Sequence, residues 1–165
     1  MQRTTKFVKY LPSCGWNATV LTVSNPSVPV FDPSLLGDVP PSARVVRART
    51  WEPSYAAKQA VAGAGGGASP PRWPRRWLKG AARQAANVLL QPDPQVLWFP
   101  AAVRAGVRLL RESRHEAVMA SGPPFSSFLV AAAISRRTGV PLALEYRDEW
   151  DLSNRYWENR QFGRV

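Results

Sequence analysis

The stretch Glu116–Tyr146, EAVMASGPPFSSFLVAAAISRRTGVPLALEY, decides how the chain folds. Glu116-Ala117-Val118-Met119-Ala120 reads as a short buried strand, and Pro141-Leu142-Ala143-Leu144-Glu145-Tyr146 as a second. Between them Ser126 to Thr138 reads as a helix ending at Gly139. A strand, helix, strand unit with a connection of this length implies a parallel pair joined by a right-handed crossover. The first strand meets the helix through Ala120–Phe128, ASGPPFSSF, a small, rigid, hydroxyl-rich turn inside an apolar run.

Outward from this unit the pattern repeats. Thr4, Phe7, Val8 and Leu11 fall at i, i+3, i+4, i+7, predicting an amphipathic helix over about 3–12 that Pro12 and Gly15 stop. Ala18–Val23 is a β-branched run for a buried strand, ended by Asn25-Pro26. Five prolines between 24 and 42 mark an extended loop, and Arg44–Arg49 reads as a strand with its valines inward. The Gly/Pro-rich segment at about 52–72 reads as a flexible loop, since its glycine run lacks the Lys-Ser/Thr ending and the preceding strand of a phosphate cradle. Helices follow at about Pro74–Leu90 and Pro100–Arg114. The class is α/β, a Rossmann-like parallel sheet flanked by helices.

Composition narrows the partners. With 165 residues and 45% hydrophobic content there is room for one domain with a core. One cysteine, Cys14, excludes an internal disulfide, and with His115 alone no Cys/His or His-rich metal site can be built, so metal chemistry would have to rest on carboxylates; no metal or cofactor is expected. No apolar run reaches the roughly 18 residues of a membrane span and the N-terminus lacks a signal peptide's apolar core, so the expected compartment is the cytoplasm. The formal net charge is +11, and no acidic residue lies between Glu52 and Asp93. Within that interval Arg72, Arg75, Arg76, Lys79 and Arg83 share one side of the 74–90 helix, with Trp73 and Trp77 on the other. Such a helix suits an anionic membrane interface, nucleic-acid stacking, or a plain solvated basic face.

Ligands of open parallel sheets bind outside the carboxyl ends of the strands, and two loops fall there. In Ser121-Gly122-Pro123-Pro124-Phe125-Ser126-Ser127, either of the last two serines can cap the helix, leaving first-turn amides for a phosphate or sugar hydroxyl. The same residues can equally do no more than cap and stiffen. In Tyr146-Arg147-Asp148-Glu149-Trp150-Asp151 a carboxylate can orient or deprotonate a hydroxyl, with Arg147 to hold it ionised. The other reading is a solvated acidic face with helix-capping aspartates. His115 belongs to the opposite sheet edge and reads as a surface or helix-terminal residue without a catalytic role.

Lys6–Pro12, Gly15-Trp16, Thr19–Val23, Ala120–Ser127 and Arg147–Trp150 together resemble the N-terminal domain of glycosyltransferase family 4 enzymes. The resemblance is weakest over 24–95. It implies the N-terminal half of a GT-B fold and a retaining transfer of sugar from a nucleotide-sugar donor to a polysaccharide or lipid-linked acceptor. Ser121, Gly122, Ser126, Ser127, Arg147 and Glu149 would line the acceptor cleft, with Asp148 near the reacting sugar. Family members begin with a buried strand and a glycine-rich loop before the first helix, and carry a donor-binding C-terminal domain. Residues 1–165 are therefore expected to be a partial domain, truncated at both ends, with the central strand missing, its neighbours' edges exposed and no transfer activity alone. The basic helix would bring the enzyme to the inner face of the cell membrane as a peripheral protein. The alternative is a non-catalytic basic module binding anionic membrane or nucleic acid.

Overall fold

A computed structural model describes residues 2–28, 37–63 and 90–147. The chain enters on helix α1, Gln2–Tyr10, which buries Val8 and passes into a 3-10 turn, Leu11–Cys14. Gly15 closes the turn at φ 79°, a left-handed conformation that suits glycine, and its N–H donates to Pro12 O at 3.1 Å. The expected stop at Pro12 and Gly15 is thus a tightening of the helix rather than an abrupt end.

Two carboxylates hold α1 down. Arg3 Nε lies 3.0 Å from Glu145 Oε1, and Lys6 and Lys9 both reach Asp38 at 2.7 Å. The hydrogen bonds from Lys6 and then Lys9 lower the Asp38 carboxyl from 3.8 to about 2. A carboxyl depressed in the folded state stabilises fully above its unfolded pKa, and that contribution is lost as the pH falls through the folded value. Between pH 3.8 and about 2 the stability of the chain should therefore decline, and Asp38→Asn should flatten that part of the profile. The urea midpoint measured against pH checks it; an unchanged slope in the variant would show that the lysine pair is fully screened.

Strands β1, Thr19–Val23, and β2, Arg44–Ala48, pair in parallel with Thr19 opposite Arg44 and Val23 opposite Ala48. Val45 and Val46 are consecutive and leave the strand on opposite faces, both half-buried, so they do not point inward together. The segment expected as a loop at 52–72 begins instead with helix α2, Tyr55–Gly63. Its sequence YAAKQAVAG holds four alanines, the best helix formers, and the glycine run that suggested a loop starts beyond them. The remainder of that segment, and most of the basic helix expected at 74–90, lie outside the described residues.

After a 3-10 turn, Pro94–Trp98, helix α3 runs Phe99–Glu112 with Pro100 in its first turn. Then come β3, Val118–Gly122, helix α4, Ser126–Thr138, and β4, Leu142–Tyr146. Gly139 at φ 74° ends α4, and β3 pairs with β4 in parallel as expected. The strand runs two residues later than the sequence suggested. Ser121 and Gly122, expected in the turn, pair with Glu145 and Tyr146, and Arg147 N donates to Gly122 O at 3.0 Å to extend the ladder.

The described residues form a mixed α/β structure with two separate two-stranded parallel sheets, β1-β2 and β3-β4. Among them β1 and β3 do not pair with one another, so the two pairs stand apart, where a missing central strand was expected to leave a gap. One helical layer spans both sheets: α3 touches β1, β2 and α4, and α4 covers β3 and β4. Between these helices Ala102, Val103, Val130, Ala133 and Ile134 form the core, with Leu21 and Val118 packed against it. Each large aliphatic side chain buried there contributes on the order of 1.5–3 kcal/mol. Tyr146 meets Phe128 of α4, so Glu145, one residue earlier, leaves the opposite face, where Arg3 of α1 reaches it. Among the described residues no helix is long and apolar enough to cross a membrane.

Candidate functional site

The carboxyl ends of the strands carry two clusters. After β1 and β2, the Asn25 side chain binds the Thr50 backbone twice, Nδ2 donating to the carbonyl at 3.1 Å and Oδ1 accepting from the N–H at 2.9 Å. Thr50 is buried, and its Oγ1 accepts from Glu52 N at 3.1 Å. The carboxylate of Glu52 pairs with Lys58 of α2. These bonds make one fixed ledge of the two loops.

The second cluster joins β3 to α4. Gly122 is buried, and a Cβ added there would sit 2.7 Å from Phe128 Cζ, so only glycine lets that ring lie against the strand end. Arg147 Nε donates to Gly122 O at 3.3 Å, and its Nη2 donates to Pro123 O. The guanidinium therefore grips the backbone of the loop, where it was expected to support Asp148. Two of its five N–H donors are engaged by these bonds. Asp148 and Glu149 lie outside the described residues, as do Arg72, Arg75, Arg76, Lys79, Arg83, Trp73 and Trp77.

Neither serine caps α4. Phe125 occupies the N-cap position with no side-chain cap bond, because the helix starts one residue before the serines could serve. Its first amides are already engaged: Ser126 N donates to Asp93 Oδ2 at 3.0 Å, Ser127 N to Pro124 O at 3.2 Å and Phe128 N to Phe125 O at 3.0 Å. The anion-binding role expected of these amides is thus filled from within the chain, by a carboxylate 33 residues upstream at the positive end of the helix dipole. What remains open are hydroxyls. Ser126 Oγ and Ser121 Oγ are both buried without a hydrogen-bond partner, as is Glu145 Oε2 beside Ser121 in the register. Ser127 is half-buried at the mouth of the loop.

Asp93 was not singled out in the sequence, although its setting, Gln91-Pro92-Asp93-Pro94, held the signal. Asp93 precedes the 3-10 turn Pro94–Trp98 without capping it through its side chain, which is left for the Ser126 amide, and it is 5% exposed. Asp93→Ala leaves the Ser126 amide buried and unpaired and should cost about 1–3 kcal/mol in urea unfolding. Asp93→Asn keeps an acceptor without the charge and should fall between the two.

His115 opens the approach to β3, and its Nε2 lies 3.2 Å from Thr19 Oγ1 at the start of β1 while Nδ1 is 2.9 Å from Ser113 O. It therefore sits at the amino ends of the strands, on the edge expected, just past the end of α3, as a half-buried tie between the two sheets. Among the described residues no three His, Cys, Asp or Glu side chains gather as metal ligands. No family model, curated protein sequence or solved structure matches the chain.

Proposed function

We propose that the chain forms the acceptor-side part of a retaining glycosyltransferase that moves sugar from a nucleotide-sugar donor to a polysaccharide or lipid-linked acceptor. The observation that carries the reading is the β3–α4 loop: a parallel strand end whose backbone is gripped by Arg147, with half-buried Ser127 and the buried, unpartnered hydroxyls of Ser121 and Ser126 where α/β folds bind ligands. Hydroxyls and spare guanidinium donors suit a neutral, polyhydroxylated acceptor better than a phosphate, for which the helix amides would have to be free. In this reading β1-β2 and β3-β4 flank one central strand position of a Rossmann-like sheet. Asp148, the next residue in the sequence after Arg147, would act near the reacting sugar, and Glu149 would help line the cleft.

In this reading donor binding falls to a second α/β unit facing this edge. Charge developing on the leaving diphosphate would be met by oriented donors of the closed cleft rather than by a strong nucleophile. The basic helix at 74–90 would hold the assembly at the cytoplasmic face of the membrane, near a lipid-linked acceptor.

Backbone NMR with a panel of short oligosaccharides, and separately with uridine and guanosine diphosphate sugars, tests the reading. An oligosaccharide should shift the amide signals of Gly122, Phe125, Ser127 and Arg147, and the nucleotide sugars should leave them unmoved. Nucleotide-sugar binding at this edge, or no response to any oligosaccharide, would overturn it.

A further inference from the structure

The outer surface of the helical layer carries a feature that sugar transfer does not use. Arg104, Arg108 and Arg111 of α3 stand at i, i+4 and i+7, on one face of the helix, and all three are exposed. With Arg137, from the last turn of α4, they line an open groove of about 640 Å³ floored by Phe99 and Val107. Among the described residues the one carboxylate in the lining, Glu112, is shared between Arg108 at 3.7 Å and Arg44 at 3.4 Å. Arg137 spends one donor on Ala133 O, while Arg104 and Arg111 have no partner among the described residues. Four guanidinium groups thus surround an apolar floor against a single acid.

That combination selects an amphipathic anion. A soluble anion would use the rim and leave the floor wet. A single-stranded nucleic acid would also need ring faces to stack on, and among the described residues Phe99 is the one aromatic in the lining. An anionic phospholipid uses both parts, since arginine heads reach its phosphate while apolar surface beside their stems meets glycerol and the first methylenes. We propose that this groove is a docking face for an anionic phospholipid bilayer. It is a second membrane-facing surface, built from residues separate from the 74–90 helix, and it stands whether or not the chain takes part in sugar transfer.

Flotation with vesicles of phosphatidylcholine alone and of phosphatidylcholine mixed with phosphatidylglycerol tests the proposal. The chain should bind the mixed vesicles and not the neutral ones, with affinity falling as salt rises. Arg104→Gln/Arg108→Gln/Arg111→Gln should weaken that binding by about 100-fold. Arg47→Gln/Arg49→Gln/Arg114→Gln removes the same charge from exposed sites elsewhere and should change it only about two- or threefold. Equal losses in the two variants, equal binding to the two vesicles, or a groove variant that loses only oligonucleotide binding would overturn the proposal. Should the groove variant fail to unfold cooperatively, hydrogen exchange of the unaltered chain decides. Mixed vesicles should then protect the amides of 99–112, and unchanged exchange there would overturn the proposal equally.

Discussion

Phe128→Ala should destabilise the chain by about 3–5 kcal/mol, a large part of the roughly 5–15 kcal/mol that holds a domain of this size together. The side chain is 4% exposed and joins three elements. Its ring meets Phe125 edge-on at 5.8 Å, lies 4.6 Å from the Tyr146 ring of β4, and fills the space that Gly122 leaves by having no side chain. Alanine would open a cavity under the β3–α4 loop, and the loop's remaining contacts cannot collapse into it while Arg147 and Asp93 hold the backbone on either side. Tyr146→Ala removes a partner from the same cluster but should cost much less, because Tyr146 is 57% exposed. Urea unfolding of the two variants gives both numbers. A loss below about 1 kcal/mol for Phe128→Ala would mean that the loop is held by its backbone bonds alone.

The same cluster shows why the site was only partly legible. Ser126–Thr138 and its stop at Gly139 stand in the sequence as they do in the structure, because helical periodicity and a left-handed glycine are local signals. The strand before it ended later than expected because Ser121 and Gly122 look like turn residues, and only their register against Glu145 and Tyr146 makes them strand. The capping reading failed for a related reason. Ser126 and Ser127 have the right chemistry for a cap, but the acceptor that fills the helix end comes from Asp93, and no local pattern connects residues 33 apart. At the level of the sheet, the parallel pairing of β3 with β4 was legible in its strand–helix–strand unit, whereas the gap between the two pairs was expected only through the resemblance and its missing central strand. Helix α2 was hidden by the glycines that follow it. The resemblance to a glycosyltransferase domain rests on dispersed short motifs, and this is why its site residues enter as a proposal to be tested by ligand binding.

Gly106→Val should cost about 3 kcal/mol, and the reason lies in how close the two core helices approach. Gly106 is buried in the middle of α3, and a Cβ there would fall 2.3 Å from Ile134 Cδ1, 3.0 Å from its Cγ1 and 3.4 Å from Leu21 Cδ2. Two opposed effects decide the smaller change, Gly106→Ala. Alanine gains about 1 kcal/mol of helix propensity over glycine. Overpacking costs about 1–3 kcal/mol, and Ile134, 4% exposed among Ala102, Val103, Val130 and Ala133, has little room to swing its methyl aside. The clash should win, leaving Gly106→Ala less stable than the parent by about 1 kcal/mol. Ile134→Val deletes the atom at 2.3 Å and by itself costs about 0.5–1.5 kcal/mol. In combination the two should lose less than their sum, with a coupling of about 1 kcal/mol, because the valine makes the space the alanine needs. Additive losses, or an alanine variant more stable than the parent, would mean that α3 and α4 shift apart freely and that Gly106 does not set their distance.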